Sequence, residues 1–127
     1  MKGDITSRQD INVLLEAFYA KAINDDVIGF FFTEVTNLDL VKHLPVIGAF
    51  WENVLFGTGD YKGNPMQVHK HIHHLSPFNK AHFDRWVTLF QGTVDELFEG
   101  EVAERAKQRA QSIATVMQIK VIYGGIG

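Results

Sequence analysis

The chain has 127 residues, 46% of them hydrophobic, which suits one domain around one core. A formal charge of −3 with scattered lysines offers no basic stripe for nucleic acid, and the lack of cysteine excludes disulfides, thiolate metal sites and thiol nucleophiles. Met1-Lys2-Gly3-Asp4 turns polar at once, unlike a secretion signal, and no apolar stretch approaches the roughly 20 residues of a membrane span, so a soluble, cytoplasmic protein is expected.

Apolar periodicity predicts four long helices. Thr6-Ser7-Arg8-Gln9 has the form of a capping box, and Ile11, Leu14, Leu15, Phe18, Tyr19, Ala22 and Ile23 then fall on one helical stripe that ends at Asn24-Asp25-Asp26. The run Val27 to Phe32 is too short and too apolar to assign by period. A lone strand would have no partner, so a buried turn of helix is expected. Asn37 and Asp39 are candidate caps for a second helix with Leu40, Leu44, Ile47, Trp51, Val54 and Leu55 on its face. Pro45 lies inside that span without an N–H to donate, which predicts either a kink near Val41 or a start near His43. Gly57-Thr58-Gly59-Asp60 closes the helix, and Lys62-Gly63-Asn64-Pro65 continues the loop.

A third long helix follows Ser76-Pro77, capped by Asn79, with Phe83, Trp86, Val87, Phe90, Val94, Leu97 and Phe98 as its stripe. Gly92 within it costs roughly 1 kcal/mol against alanine, and Glu99-Gly100 breaks it. The last helix carries Val102, Ala106, Ala110, Ile113, Met117 and Val121, and is expected to stop at Gly124-Gly125. There is no internal repeat, low-complexity tract or linker.

Four helices alone would suggest a plain bundle. Two features depart from that. The stretch from Gly57 to Asn79 carries little apolar signal yet holds four of the six histidines. Tyr19, Trp51 and Trp86 lie on core-facing stripes while bearing polar atoms that need partners. Within His69-Lys70-His71-Ile72-His73-His74, His69 and His73 would share a face of a helix. The residue types leave three readings open there: a solvated basic turn, a single functional ligand, or a zinc pair without a clear third and fourth ligand. Imidazole serves iron as well as zinc.

Three blocks in order carry a more specific pattern: Phe50-Trp51, then Gly57-x-Gly59-Asp60-Tyr61-x-Gly63-Asn64-Pro65-Met66-x-x-His69, then His82-Phe83-x-x-Trp86. Together they resemble the truncated haemoglobins, most closely group III, and the resemblance runs from Phe18-Tyr19 to Arg109-Ala110. The Gly-Gly motifs of groups I and II are absent, as group III would lead one to expect. The resemblance implies an all-α, globin-like, truncated two-over-two helical sandwich over residues 1–127, built around haem b (iron protoporphyrin IX). It implies His69 as the proximal iron ligand, and Tyr19, Trp86 and His43 as distal residues near the bound gas. It sets Phe32 against the porphyrin and Ile47 one turn beyond His43, with Trp51, Met66 and Phe83 in the pocket wall.

Physical chemistry agrees with such a site. A porphyrin is a flat hydrophobe that needs aromatic walls, and Phe30, Phe31, Phe32, Phe50, Trp51, Phe83 and Phe90 offer more aromatic surface than a small core requires. Iron needs one axial imidazole and an open opposite position. Tyr19 and Trp86 could donate to a polar ligand, each such bond being worth about 1.5–3 kcal/mol. The function implied is binding of the diatomics O2, CO and NO by a monomer, with a reductase as a candidate partner. The same pocket would suit an enzyme of nitric oxide dioxygenation or peroxide reduction. A haem-free helical module that binds zinc or docks a partner is the reading from another class. An absorption band near the blue edge of the visible separates the first two from the third, and turnover separates the first from the second.

Overall fold

Ser7, one residue later than expected, caps the first helix in the computed structural model, which describes residues 2–123. Its hydroxyl accepts from the Asp10 backbone N–H at 3.2 Å. The Asp10 carboxylate in turn accepts from the backbone N–H and hydroxyl of Thr6 at 2.9 and 3.1 Å. A carboxylate in the first turn is the stronger acceptor and also favours the positive end of the helix, so Asp10 takes the part that sequence spacing gave to Gln9. Helix α1 (Arg8–Ile23) buries Ile11, Leu14, Leu15, Phe18, Tyr19 and Ala22, as its stripe predicts.

The apolar run after α1 forms a turn that passes into a short π-helical segment, Phe31–Val35, with Ile28 and Phe31 buried. Asp25 anchors it. One carboxylate oxygen accepts from the Val27 and Ile28 N–H groups at 2.9 and 3.1 Å, and the other from the Arg85 guanidinium at 2.8 and 2.6 Å.

Helix α2 (Leu40–Phe56) begins at Leu40 under the Asp39 cap, not at His43. Pro45 is tolerated because the donor it lacks would have served Val41, which is 82% exposed, where water can take the carbonyl. Gly57 ends α2 with φ of 72°, a conformation that favours glycine.

Periodicity did not predict the next helix, α3 (Pro65–Leu75). Asn64 caps it through a 3.1 Å bond from the Gln67 N–H, and Pro65 opens the first turn, where its missing N–H costs nothing. Helix α4 (Lys80–Leu97) starts under Asn79 as expected, in a reciprocal box with the His82 ring.

Helix α5 (Glu101–Gln118) runs on into a π-helical segment, Ile119–Tyr123. Its expected stop at Gly124-Gly125 lies outside the described residues. Gly100 begins α5 with φ of 146° and no side chain to cap it. Asp4 supplies the cap instead, accepting from Val102 and Ala103 N–H at 3.0 and 2.8 Å. A Cβ on residue 100 would collide with that carboxyl.

Helix α1 lies against α2 and α4, α4 lies against α5, and α2 also touches α5. This is the two-over-two sandwich. Its centre is fully buried at Ile11, Phe18, Phe90, Val94 and Ala106. Helix α3 is more peripheral: none of its residues is fully buried, and it lies near Ile119–Tyr123 while Met66 and Ile72 pack in part against the hydrophobic clusters. Among the described residues no helix is long and apolar enough to cross a membrane.

Candidate functional site

Tyr19 lies on the inner stripe of α1 and is 6% exposed. Its hydroxyl is 2.9 Å from His43 Nε2 on α2, so Pro45 does not turn the His43 ring away. The two rings meet edge to face with centroids 5.3 Å apart, and Phe32 meets Tyr19 likewise at 5.7 Å. Burial pushes the Tyr19 phenol well above its ordinary pKa, so it keeps its proton. Burial also lowers the His43 pKa, helped by the charge that His69 would carry, so the imidazole is held neutral.

His69 has the geometry of a prepared ligand. Its Nδ1 is 2.6 Å from the Pro65 carbonyl, which can only accept, so Nδ1 carries the hydrogen and donates. The lone pair is thereby placed on Nε2. Burial lowers the His69 pKa, partly offset by the bond to Pro65, and so also favours the neutral ring that a metal requires. His73, the other member of the possible zinc pair, spends its Nδ1 accepting from the Phe78 N–H at 2.9 Å. Among the described residues no group of three His, Cys, Asp or Glu side chains could hold a metal ion.

Aromatic rings connect Tyr19 on α1 with α2 and α4. Phe18 meets Tyr19, Trp86 and Phe90 edge to face at 5.1, 6.0 and 5.5 Å, and so brings Tyr19 and Trp86 around one ring. Trp86 stacks on Phe90 at 5.4 Å, and Phe90 stacks on Trp51 at 4.7 Å. Trp51 is thus part of the core, 2% exposed, while Trp86 remains half-buried. Ile47 is half-buried one turn beyond His43. Met66 and Phe83 belong to a second cluster with Val87 and Met117, next to α3. Sequence reasoning missed Phe78, whose ring lies 6.1 Å from His69 and 6.2 Å from His73. No spacing signal marks a loop phenylalanine, and only the folded α3–α4 turn brings it there.

No family model matches the chain. A group 3 truncated hemoglobin of Campylobacter jejuni is 33% identical over 129 residues, covering 98% of this chain and 99% of the relative. The chain belongs to the group III truncated haemoglobins. The crystal structure of group III truncated hemoglobin from Campylobacter jejuni superposes with a TM-score of 0.84 at 32% identity, covering 100% of this chain and 99% of that one. This truncated haemoglobin therefore has the fold that its sequence blocks suggested.

The donor set suits a haem. A single imidazole offers Nε2 from a helix whose inner face, Met66, His69, Ile72 and His73, is half-buried and mostly apolar. The Phe78 ring lies 6.1 Å from that imidazole and is itself flanked by Phe31 and Phe83, with a phenol and an indole on other helices. The chemistry of that donor set fits a flat apolar disc with one axial bond.

Proposed function

We propose that this truncated haemoglobin holds one b-type haem per chain through His69 Nε2 and binds dioxygen and other diatomic ligands on the side of Tyr19 and His43. The observation that carries the reading is the 2.6 Å bond from His69 Nδ1–H to the Pro65 carbonyl, which fixes the ligating tautomer before any metal arrives. Without cysteine there is no thioether attachment, so the group would be held non-covalently. Haem, when bound, supplies the iron at which a diatomic ligand coordinates.

The chain's own residues set how such a ligand is received. Tyr19 has one proton, and with the His43 hydrogen on Nδ1 that proton is donated to Nε2. In the other tautomer, His43 Nε2–H donates to the Tyr19 oxygen and frees the phenol proton for an incoming acceptor. Both tautomers are neutral, so the switch requires no net charging of a buried ring. No hydrogen bond within the described residues engages the Trp86 indole N–H, which makes Trp86 a second donor for the same ligand. Phe18, in edge contact with both rings, keeps the two donors at a fixed relation.

A pyridine haemochrome assay, with spectra of His69→Gly before and after added imidazole, tests the reading. The variant loses five-coordinate ferrous haem and imidazole restores it, while His73→Gly retains it. A colourless wild-type protein, or loss in His73→Gly with none in His69→Gly, overturns the assignment.

A further inference from the structure

His73 lies one turn after His69 on α3, and both rings flank Phe78. Phe78 sits where the chain turns from α3 into α4, directly after Pro77. Its ring is 14° from parallel with His73 and 33° from parallel with His69. It is also wedged against Phe31 at 4.5 Å and Phe83 at 5.4 Å. Two histidines hold the backbone of this turn: the Phe78 N–H donates to His73 Nδ1 at 2.9 Å and the Asn79 N–H to His82 Nδ1 at 3.0 Å. The His73 hydrogen therefore sits on Nε2, the opposite tautomer from His69.

The Pro65 carbonyl sets the direction of His69 Nδ1, but one hydrogen bond resists tilting of a ring only weakly, because its energy falls slowly over the first tens of degrees. A flat neighbour beside the ring restrains tilt by contact. Groups that orient a metal-binding histidine also govern the bond it makes. We propose that His73 is a positioning residue for His69: its Nδ1 holds Phe78 beside the His69 ring and so sets the plane of the axial imidazole. The inference rests on the haem reading of His69.

The test uses the full-length chain as purified, with two readouts. Amide exchange reports the Phe78 N–H, and resonance Raman of the reduced haem protein reports the iron–histidine stretch. In His73→Ala, Phe78 exchanges about tenfold faster, as loss of one hydrogen bond implies, and the stretching band broadens as the imidazole samples several tilts. His73→Asn, whose Oδ1 can accept where Nδ1 did, restores both. Phe78→Leu leaves the amide slow yet still broadens the band, which separates ring contact from backbone anchoring. If His73→Ala does not fold, Phe78→Leu and His73→Asn carry the test. Haem bound through His69 with one sharp band in Phe78→Leu, or in His73→Ala despite a freed amide, overturns this inference alone. Failure to take up haem at all overturns the haem reading, and the exchange rates still report whether His73 anchors Phe78.

Discussion

Helices α3 and α4 follow one another in the chain and are both amphipathic, yet they are held in different ways. Helix α4 buries Phe83, Val87, Phe90, Thr93 and Val94, and its place is set by core contact. Helix α3 buries nothing fully: Met66 and Ile72 pack against the clusters only in part, Asn64 caps its start, and His73 bonds to the Phe78 amide at its finish. The core positions of α4 belong to the fold, while α3, with Trp86 of α4, belongs to the site. Damage to the first should be read as lost stability, and damage to the second as altered ligand chemistry with the fold intact.

The largest effect is expected in α4. Phe90 is fully buried between the two tryptophans, and Phe90→Ala should cost about 3–5 kcal/mol in denaturant unfolding. A loss under about 1 kcal/mol, within the range of surface substitutions, would break the comparison at its stronger side.

Next comes Tyr19→Phe, which keeps the ring and removes the donor. Dioxygen should dissociate about ten- to a hundredfold faster by stopped flow, the range that one charge-assisted hydrogen bond supports, while unfolding changes little. Carbon monoxide, nearly uncharged when bound, should respond much less. Equal changes for both gases would point to altered access, and no change for either would return Tyr19 to the core.

Acid stability gives a third test. Arg85 and two backbone N–H groups hold the Asp25 carboxyl below its usual pKa. A depressed native pKa means that the stabilisation is complete above the unfolded value, near 3.9, and is lost as pH falls through the native value. Asp25→Asn should therefore be less stable than wild type at neutral pH and lose less on acidification. Parallel curves for the two would remove Asp25 as the anchor of the turn into Phe31–Val35.

The smallest effect is expected on α3. Ile72 is only half-buried, and Ile72→Ala should cost no more than about 1 kcal/mol. A cost near that of Phe90→Ala would show that α3 is a core element after all.

What the sequence disclosed follows the same division. The stripes of α1, α2, α4 and α5 were legible because a buried face imposes a period, and Asp39, Asn79 and Gly57 punctuate them by local chemistry. Helix α3 was not legible, since its inner face is only half-buried and two of its four members are histidines, which read equally well as part of a solvated turn. Pro45 misled for a local reason: a proline rule written for helix interiors is relaxed in the exposed early turns of α2. His69 and Trp86 stand in the ordered motif blocks, while the roles of Tyr19, His43 and Phe32 came from the family resemblance those blocks carry; periodicity marked only Tyr19 and Trp86 as inward-facing. Contacts made through backbone atoms or across the whole chain, such as Pro65 with His69, His73 with Phe78 and Asp4 with α5, have no signature in residue type.

Asp4 bears on the order in which the molecule assembles. Its carboxylate bonds to amides 98 and 99 residues away, and the Glu99 N–H also donates to the Gly3 carbonyl at 2.9 Å. Asp4 is synthesised 98 residues before Val102, so this clasp can close only after the whole intervening stretch exists. Closing so long a loop yields few contacts for the entropy lost, which makes it a late event on the folding path. Asp4→Ala should then speed unfolding while leaving the refolding rate nearly unchanged, a φ-value close to zero in stopped-flow chevrons. A value near one would mean that Asp4 meets the start of α5 early and that the sandwich is built inside a closed ring.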